Sequence, residues 1–373
     1  MIQHRIALFS PPSEFYVNVL SALAQGFRQL GHECSWHPEH IAHDDMAALA
    51  TEKRLTLVLE INRFLPAEQK WPRGVKHAIW MQDPWVGNKD ITTDIGKSDH
   101  IFFLIHPRAF GMNPDRSWSI LSPGVRTDVP APAGTPSRCD FSFCGYIPRP
   151  INHKIPVAVR PDGKYYRLKE FLEVLPKEVL AFSNLSLSGI RRAVAETCQR
   201  LGCELILDSH LIFEQILIRM MEREHVLKAV LGISQSLEIW GAPHWVEWPE
   251  FAPYYKGSLP VRALDTQVYQ ASRVNIHTGG LALHFRTFDC LAAGGFLLVN
   301  KTGLDDDVGG INHVFRPDIH YGSYDMNNIG AVAERYLRDP EHCHAIATQG
   351  RQLVMESHTW KHRAAQILTE LGI

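Results

Sequence analysis

Short apolar runs alternate with helical stripes along most of the chain. Ile6-Ala7-Leu8-Phe9 is closed by Ser10-Pro11-Pro12. Tyr16, Val19, Leu20, Leu23, Ala24, Phe27 and Leu30 then recur at the spacing of one helix face. Ser13 is placed to cap that helix and Gly31 to stop it. Residues 55–61, 75–81 and 100–105 repeat the strand signal, and 117–121 is a weaker copy. Strand, Pro-bearing loop, amphipathic helix and glycine stop open an α/β domain.

Residues 129–136, Val-Pro-Ala-Pro-Ala-Gly-Thr-Pro, read as a linker that closes this domain. A second strand set follows at 141–145, 237–241, 273–277 and 296–300. The first two of these end in Gly145 and Gly241, where a backbone can turn or approach a ligand. Between them, 166–175, 189–201 and 210–231 carry helical periodicity, more helix than one crossover needs. This predicts a helical insertion over about 150–235. Three helical patterns, 329–337, 341–355 and 360–371, end the chain. The expected division is 1–135, 136–357, and a final helix over 358–373 that changes direction.

Composition narrows the function. The chain has 373 residues, with 38 Lys and Arg against 40 Asp and Glu, so no basic excess exists to neutralise a nucleic-acid backbone. The seven cysteines are scattered without a CxxC, which predicts free thiols and no zinc framework. No apolar run reaches the ~20 residues of a membrane span. The N-terminus leads straight into a strand pattern, so a soluble, cytoplasmic protein is expected.

The densest chemistry lies in residues 274–296. Strand, Thr278-Gly279-Gly280 loop, helix, Gly294-Gly295 and strand succeed one another. A loop feeding a helix N-terminus after a parallel strand offers free N–H groups and a favourable dipole to phosphate. Arg286 adds a charged fork, and Asp289, one turn on, can accept from ribose hydroxyls. The same residues also suit a crossover helix with no ligand, in which Arg286 and Asp289 form a local i,i+3 pair.

Arg286-Thr287-Phe288-Asp289-Cys290-Leu291-Ala292-Ala293-Gly294-Gly295 resembles the acid-to-glycine segment of GT-B glycosyltransferases, closest to the spore-maturation CgeB-like branch. Phe143-Cys144-Gly145-Tyr146, the run 239–245, the run 269–276 and the run 358–363 resemble further parts of the same C-terminal domain. The resemblance covers 215–373 well, 1–145 loosely, and not 150–210. It implies an α/β chain of two Rossmann-like domains, with the insertion in the second and the last helix crossing back to the first. It implies transfer of a sugar from a nucleotide-diphosphate donor, with no cofactor and no essential metal. In that frame Asp289 takes the ribose position. Arg286, His284 and the Thr278-Gly279-Gly280 loop meet diphosphate or sugar. Gly145, Arg149, Gly241 and His244 flank the donor. Many retaining relatives carry a second acid eight residues before the first, where this chain has Leu281.

In the first domain Asp83 follows a strand in Trp80-Met81-Gln82-Asp83-Pro84-Trp85. It is a candidate base for an acceptor hydroxyl, or an Asp-Pro turn. Ser10-Pro11-Pro12 and His106-Pro107-Arg108 end neighbouring strands on the same side. Asp305-Asp306-Asp307 has a DxD spacing but sits in a Gly-flanked loop, and is read as solvated. His358 and His362 lie four apart without a third ligand, and are read as surface residues. The acceptor is left open, and the insertion suits an acceptor platform or a homodimer contact. Two alternatives stay beside the transferase: a nucleotide-sugar epimerase on the same fold, and a non-catalytic binding protein of that fold.

Overall fold

The structure is a computed structural model that describes residues 2–83, 85–86, 89–90, 96–107, 112–132, 137–177, 187–206, 212–259 and 264–373. The first domain is built from β1 (Arg5–Phe9), α1 (Glu14–Gln29), β2 (Glu33–His37), α2 (His43–Glu52), β3 (Leu57–Ile61) and β4 (Lys76–Met81). β5 (Trp85–Val86) and β6 (Lys89–Asp90) pair antiparallel outside the sheet. β7 (His100–Phe103) and β8 (Trp118–Ile120) complete it. The sheet is six-stranded and parallel in the order β2-β1-β3-β4-β7-β8. Ser13 caps α1 by accepting from the Tyr16 amide at 3.2 Å, and its apolar stripe is buried from Val19 to Phe27.

The second domain opens with β9 (Cys139–Cys144). β10 (Pro156–Val159), β11 (Tyr165–Arg167), α3 (Leu168–Val174), α4 (Leu187–Leu201) and β12 (Glu204–Leu205) follow. One π-helical turn at 212–217 then leads into α5 (Ile218–Leu231). After it come β13 (Leu237–Trp240), β14 (Tyr255–Gly257), α6 (Leu264–Ala271), β15 (Ser272–His277), α7 (Phe285–Ala293), β16 (Leu297–Asn300) and β17 (Gly322–Tyr324). The chain ends in α8 (Ile329–Arg338), α9 (Pro340–Ser357) and α10 (Trp360–Leu371). The second sheet is again six-stranded and parallel, β14-β13-β9-β15-β16-β17.

The insertion differs from its expected all-helical form. β10, β11 and β12 make a three-stranded antiparallel sheet. The reason is a turn signal: Arg160-Pro161-Asp162-Gly163-Lys164 reverses the chain, with Gly163 at φ +78° and the Arg160 amide donating to Lys164 O at 2.7 Å. The helix expected from residue 166 therefore starts at Leu168. The last helix of the stretch, α5, is the crossover between β9 and β13. Val157, Leu168, Phe171, Ile190 and Phe213 share one core with Phe141 and Phe143, so the insertion packs on the sheet it interrupts. Of the linker stretch, 133–136 lies outside the described residues. Its first half is pinned to the second domain, where Arg351 and Gln270 donate to Val129 O and Pro130 O.

Two elements join the domains. α10 lies along α1, and Trp360 sits in the first domain's core beside Trp80, 6.1 Å between rings. Gly26 makes this approach possible, since a Cβ there would stand 2.4 Å from Trp360 O. Phe285, the first residue of α7, enters the same core, 5.0 Å from the Phe15 ring and 6.1 Å from Trp80. The start of α7 is thus seated on the carboxyl side of the first sheet. No helix among the described residues is long and apolar enough to cross a membrane, and the seven cysteines are free.

Candidate functional site

The carboxyl ends of β9, β13 and β15 form one edge, the place where parallel sheets bind ligands. β9 delivers Gly145, whose amide donates to Trp240 O at 2.8 Å and whose carbonyl accepts from the Trp245 indole at 2.9 Å. β13 delivers Gly241 at φ +143°, with its Cα so close to the Gly145 carbonyl that a Cβ would lie 2.1 Å from that oxygen. β15 delivers Thr278, buried near the Tyr324 hydroxyl, and Gly279 at φ +157°. The Asn300 side chain clamps Gly279 by both backbone groups, at 3.0 Å each. Gly280 is exposed.

His284 caps α7, its Nδ1 accepting from the Arg286 amide at 3.5 Å, and its ring stacks on His277. Arg286 reaches across to β9 and donates to Cys144 O at 2.8 Å. A Cβ on Gly145 would stand 2.8 Å from its guanidinium, so the glycine is the room in which Arg286 lies. Asp289 is half-buried one turn along the helix, within electrostatic reach of Arg286 and Tyr269.

Sequence reasoning did not single out two residues that complete this edge. Arg223, 6% exposed on α5, donates to Tyr146 O and lies over the Tyr146 ring. Arg219 stands one helical turn before it. Three guanidinium groups therefore converge, and their effects on one another are consistent. Burial lowers the Arg223 pKa to about 9, with Arg286 and Arg219 adding to the shift. Burial lowers Arg286, with Arg219 contributing. Burial and then Arg286 hold His277 down to about 3 and His284 well below its ordinary range. Glu222, buried next to Arg223, is pushed up to about 7 by burial despite Arg223 and Arg219, so it is only about half ionised at neutral pH. The Nε atoms of Arg223 and Arg286 are buried and have no hydrogen-bond partner. The available signal in the sequence is the Arg219-x-x-x-Arg223 spacing, which sets two cations on one face of the helix.

The remaining candidates are placed as follows. His244 is half-buried beside the Tyr146 ring, 5.3 Å away, with Nδ1 3.3 Å from Ile147 O. Arg149 is exposed and ion-paired with Glu247 at 3.2 Å, apart from the other arginines. Leu281 packs against the first domain's core, and its carbonyl is 3.0 Å from His277 Nε2. Asp83 is exposed after β4, its amide bonded to Asn62 Oδ1 at 3.0 Å. Pro84 and Arg108 lie outside the described residues.

Two readings are corrected. Asp305 is buried, because its carboxylate closes the loop by accepting from the Thr302 amide at 2.9 Å and hydroxyl at 2.6 Å. His358 is half-buried against Phe288 and Phe315, and only His362 is exposed. Among the described residues no group of three His, Cys, Asp or Glu is placed to hold a metal ion.

Two parallel six-stranded sheets and a C-terminal helix that crosses back to the first domain define a GT-B-like fold. Residues 219–369 match the family model described as glycosyl transferase-like, which is less than half of the chain. Sucrose-phosphate synthase from Thermosynechococcus elongatus aligns over 98% of both chains at 9% identity, TM-score 0.57. A glycosyltransferase from Rickettsia africae ESF-5 aligns over 100% of this chain and 98% of its own at 12% identity, TM-score 0.53. AviGT4, a glycosyltransferase involved in avilamycin A biosynthesis, covers 99% and 97% at 9% identity, TM-score 0.53. At these identities the likeness establishes the fold. No curated protein sequence matches the chain.

Proposed function

We propose that this chain transfers a sugar from a nucleotide-diphosphate donor to an acceptor hydroxyl, without an essential metal ion, and that it lies in the CgeB-like branch. One observation carries the reading: Arg223 and Arg286 present buried, unpartnered Nε groups at a helix N-terminus on the ligand-binding edge. Uncompensated buried cations are costly, and a diphosphate would offset that cost with charge-assisted hydrogen bonds. The same groups would stabilise the diphosphate as it leaves, the task a metal performs elsewhere. Both arginines fall inside the segment that matches the glycosyl transferase-like family.

In this reading the Thr278-Gly279-Gly280 backbone and the His284-capped helix complete the phosphate site, and Asp289 holds the ribose. Gly145 and Gly241 let the donor approach, while Tyr146 and His244 flank its base. Arg149 belongs to the outer rim. Asp83 takes the acceptor proton. Phe285, in contact with both Phe15 and Trp80, brings the donor helix to the strand that precedes Asp83.

Thermal melts with UDP, GDP, TDP and CDP test the donor site. One nucleotide at ~100 times its dissociation constant should add ~2.7 kcal/mol, a rise of roughly 2–4 °C per kcal/mol. The rise should persist in EDTA and shrink in Asp289→Ala. A wild type that none of the four stabilises would defeat the reading, and an unchanged Asp289→Ala would remove the ribose assignment. Separately, Asp83→Asn should lower transfer by ~10²–10⁴-fold while keeping the nucleotide response. Near-wild-type transfer by that variant would strip Asp83 of its role.

A further inference from the structure

We propose that the carboxyl ends of β3 and β4, with the first turn of α1, form a binding site for a polyol-type acceptor, one whose reacting hydroxyl is flanked by a second hydroxyl. This rests on the sugar-transfer reading and names the acceptor class it leaves open.

The site is built around Asn62. This residue follows β3 at φ +58°, a left-handed conformation that Asn tolerates better than most non-glycine residues, and is 3% exposed. Its side-chain carbonyl accepts from the Gln82 and Asp83 amides, at 2.7 and 3.0 Å. Its amide donates to the Tyr16 hydroxyl at 3.0 Å. One buried side chain thus fixes the turn that leaves β4 and ties it to the start of α1.

What Asn62 presents is a set of hydrogen-bonding groups suited to hydroxyls. The Asp83 side chain is exposed. The Gln82 Nε2 atom is buried and has no partner. The Tyr16 oxygen already accepts from Asn62, so its own proton can be given to another oxygen. Burial, and after it the Asp83 charge, push the Tyr16 pKa up to about 12, so that proton is retained at any working pH. Phe15, 41% exposed in the first turn of α1, touches Phe285 at the start of α7.

These groups select by chemistry. An acceptor with neighbouring hydroxyls gives Asp83 the proton it removes and gives Gln82 and Tyr16 an oxygen to donate to. A phenol or a simple alkanol brings no second oxygen and leaves a donor unmet, which weakens its binding about tenfold or more. Sites made to hydrogen-bond a substrate reject analogues that lack the group far more strongly than apolar pockets reject a change of size. In the step itself the bond between the sugar's anomeric carbon and the diphosphate oxygen breaks, and its electron pair leaves with the nucleotide. The acceptor oxygen forms the new bond to that carbon, and its proton passes to Asp83.

The test uses the full chain with radiolabelled UDP-, GDP-, TDP- and CDP-glucose and galactose. The acceptor probes are methyl hexosides, myo-inositol, 4-nitrophenol and n-octanol. Transfer is expected to the hexosides or inositol. Tyr16→Phe and Gln82→Leu are each expected to raise the acceptor KM about tenfold or more, with the nucleotide-induced thermal shift unchanged. Two separate variants, each checked by its melt, guard against a loss of folding in either one. Transfer to the phenol or alkanol but not the polyols would overturn the proposal, and so would an unchanged KM in both variants. No transfer from a wild type that binds nucleotide would also count against it. A wild type that binds no nucleotide would instead fail the donor reading on which it rests.

Discussion

Arg286→Ala is expected to remove the nucleotide-dependent thermal shift while leaving the unliganded melting temperature within a few degrees of wild type. The two halves of that expectation have different origins. Arg286 would make a forked, charge-assisted contact to the diphosphate, and hydrogen bonds to charged groups are worth ~1.5–3 kcal/mol each. Losing two such bonds lowers affinity by ~100-fold or more. In the unliganded protein the balance is closer. The variant gives up the bond to Cys144 O, but it also removes the nearest charge that depresses Arg223 and a charge that depresses His277 and His284. Buried cations that repel one another are eased when one is taken away. Arg286→Lys should fall between, because it restores charge without the planar fork. The measurement is paired: melts with and without nucleotide, and titration calorimetry for the affinity. An Arg286→Ala protein that still responds to nucleotide as the wild type does would move the diphosphate elsewhere.

How far this site was legible in the sequence depends on which domain is considered. In the second domain the signals are contiguous: strand, glycine loop, helix start and Arg286-x-x-Asp289 follow in one run, so chain order alone brings the proposed donor groups together. Arg219 and Arg223 were not legible as site residues, because only the sheet order sets α5 beside the end of β9. In the first domain the site is assembled from three separate segments, at Tyr16, Asn62 and Gln82-Asp83. No short motif joins them. Asn62 in particular reads as a loop residue in the sequence, and only its left-handed backbone and three hydrogen bonds reveal what it holds.

The fold divides in a similar way. Strands buried on both faces are legible as apolar runs: Ile6–Phe9 within β1 is continuous, and β3 is apolar except for Glu60. β2, Glu-Cys-Ser-Trp-His, buries only Cys34 at a sheet edge, so it carries no apolar run to be read. In the insertion only the helices are legible, because its strands are two to four residues long, too short for an alternating pattern to register. The turn at Pro161-Asp162-Gly163 was the available clue.

The buried charge in β3 has the largest expected effect on stability. Glu60 is fully buried, and accepts from Arg63 Nε at 2.5 Å and from His77 Nε2 at 2.9 Å, with His43 Nε2 at 3.4 Å. His77 in turn meets Ser98 Oγ at 3.0 Å through its other nitrogen. Burial alone would raise the Glu60 pKa. The hydrogen bonds from His43 and His77 and the charges of His77 and Arg63 outweigh it, and bring the carboxyl down to about 2 from an ordinary 4.5. A depressed carboxylate stabilises the fold above its unfolded pKa, and that contribution is lost as pH falls through the folded value. The window is therefore about pH 4.5 down to about 2, and a shift of this size corresponds to roughly 3 kcal/mol at ~1.4 kcal/mol per unit. Glu60→Gln should destabilise by ~3–5 kcal/mol at pH 7, because it leaves Arg63 without its buried counter-charge. The gap between wild type and variant, from urea melts, should narrow as pH drops from 5 towards 2. A gap below ~1 kcal/mol at pH 7, or one of the same size at pH 3, would show that the pair contributes little. The consequence reaches the site, because Asn62 lies two residues after Glu60. Loss of the buried charge would loosen the strand end that holds Tyr16, Gln82 and Asp83 in register, so acceptor KM should rise in Glu60→Gln under conditions where the variant is still folded.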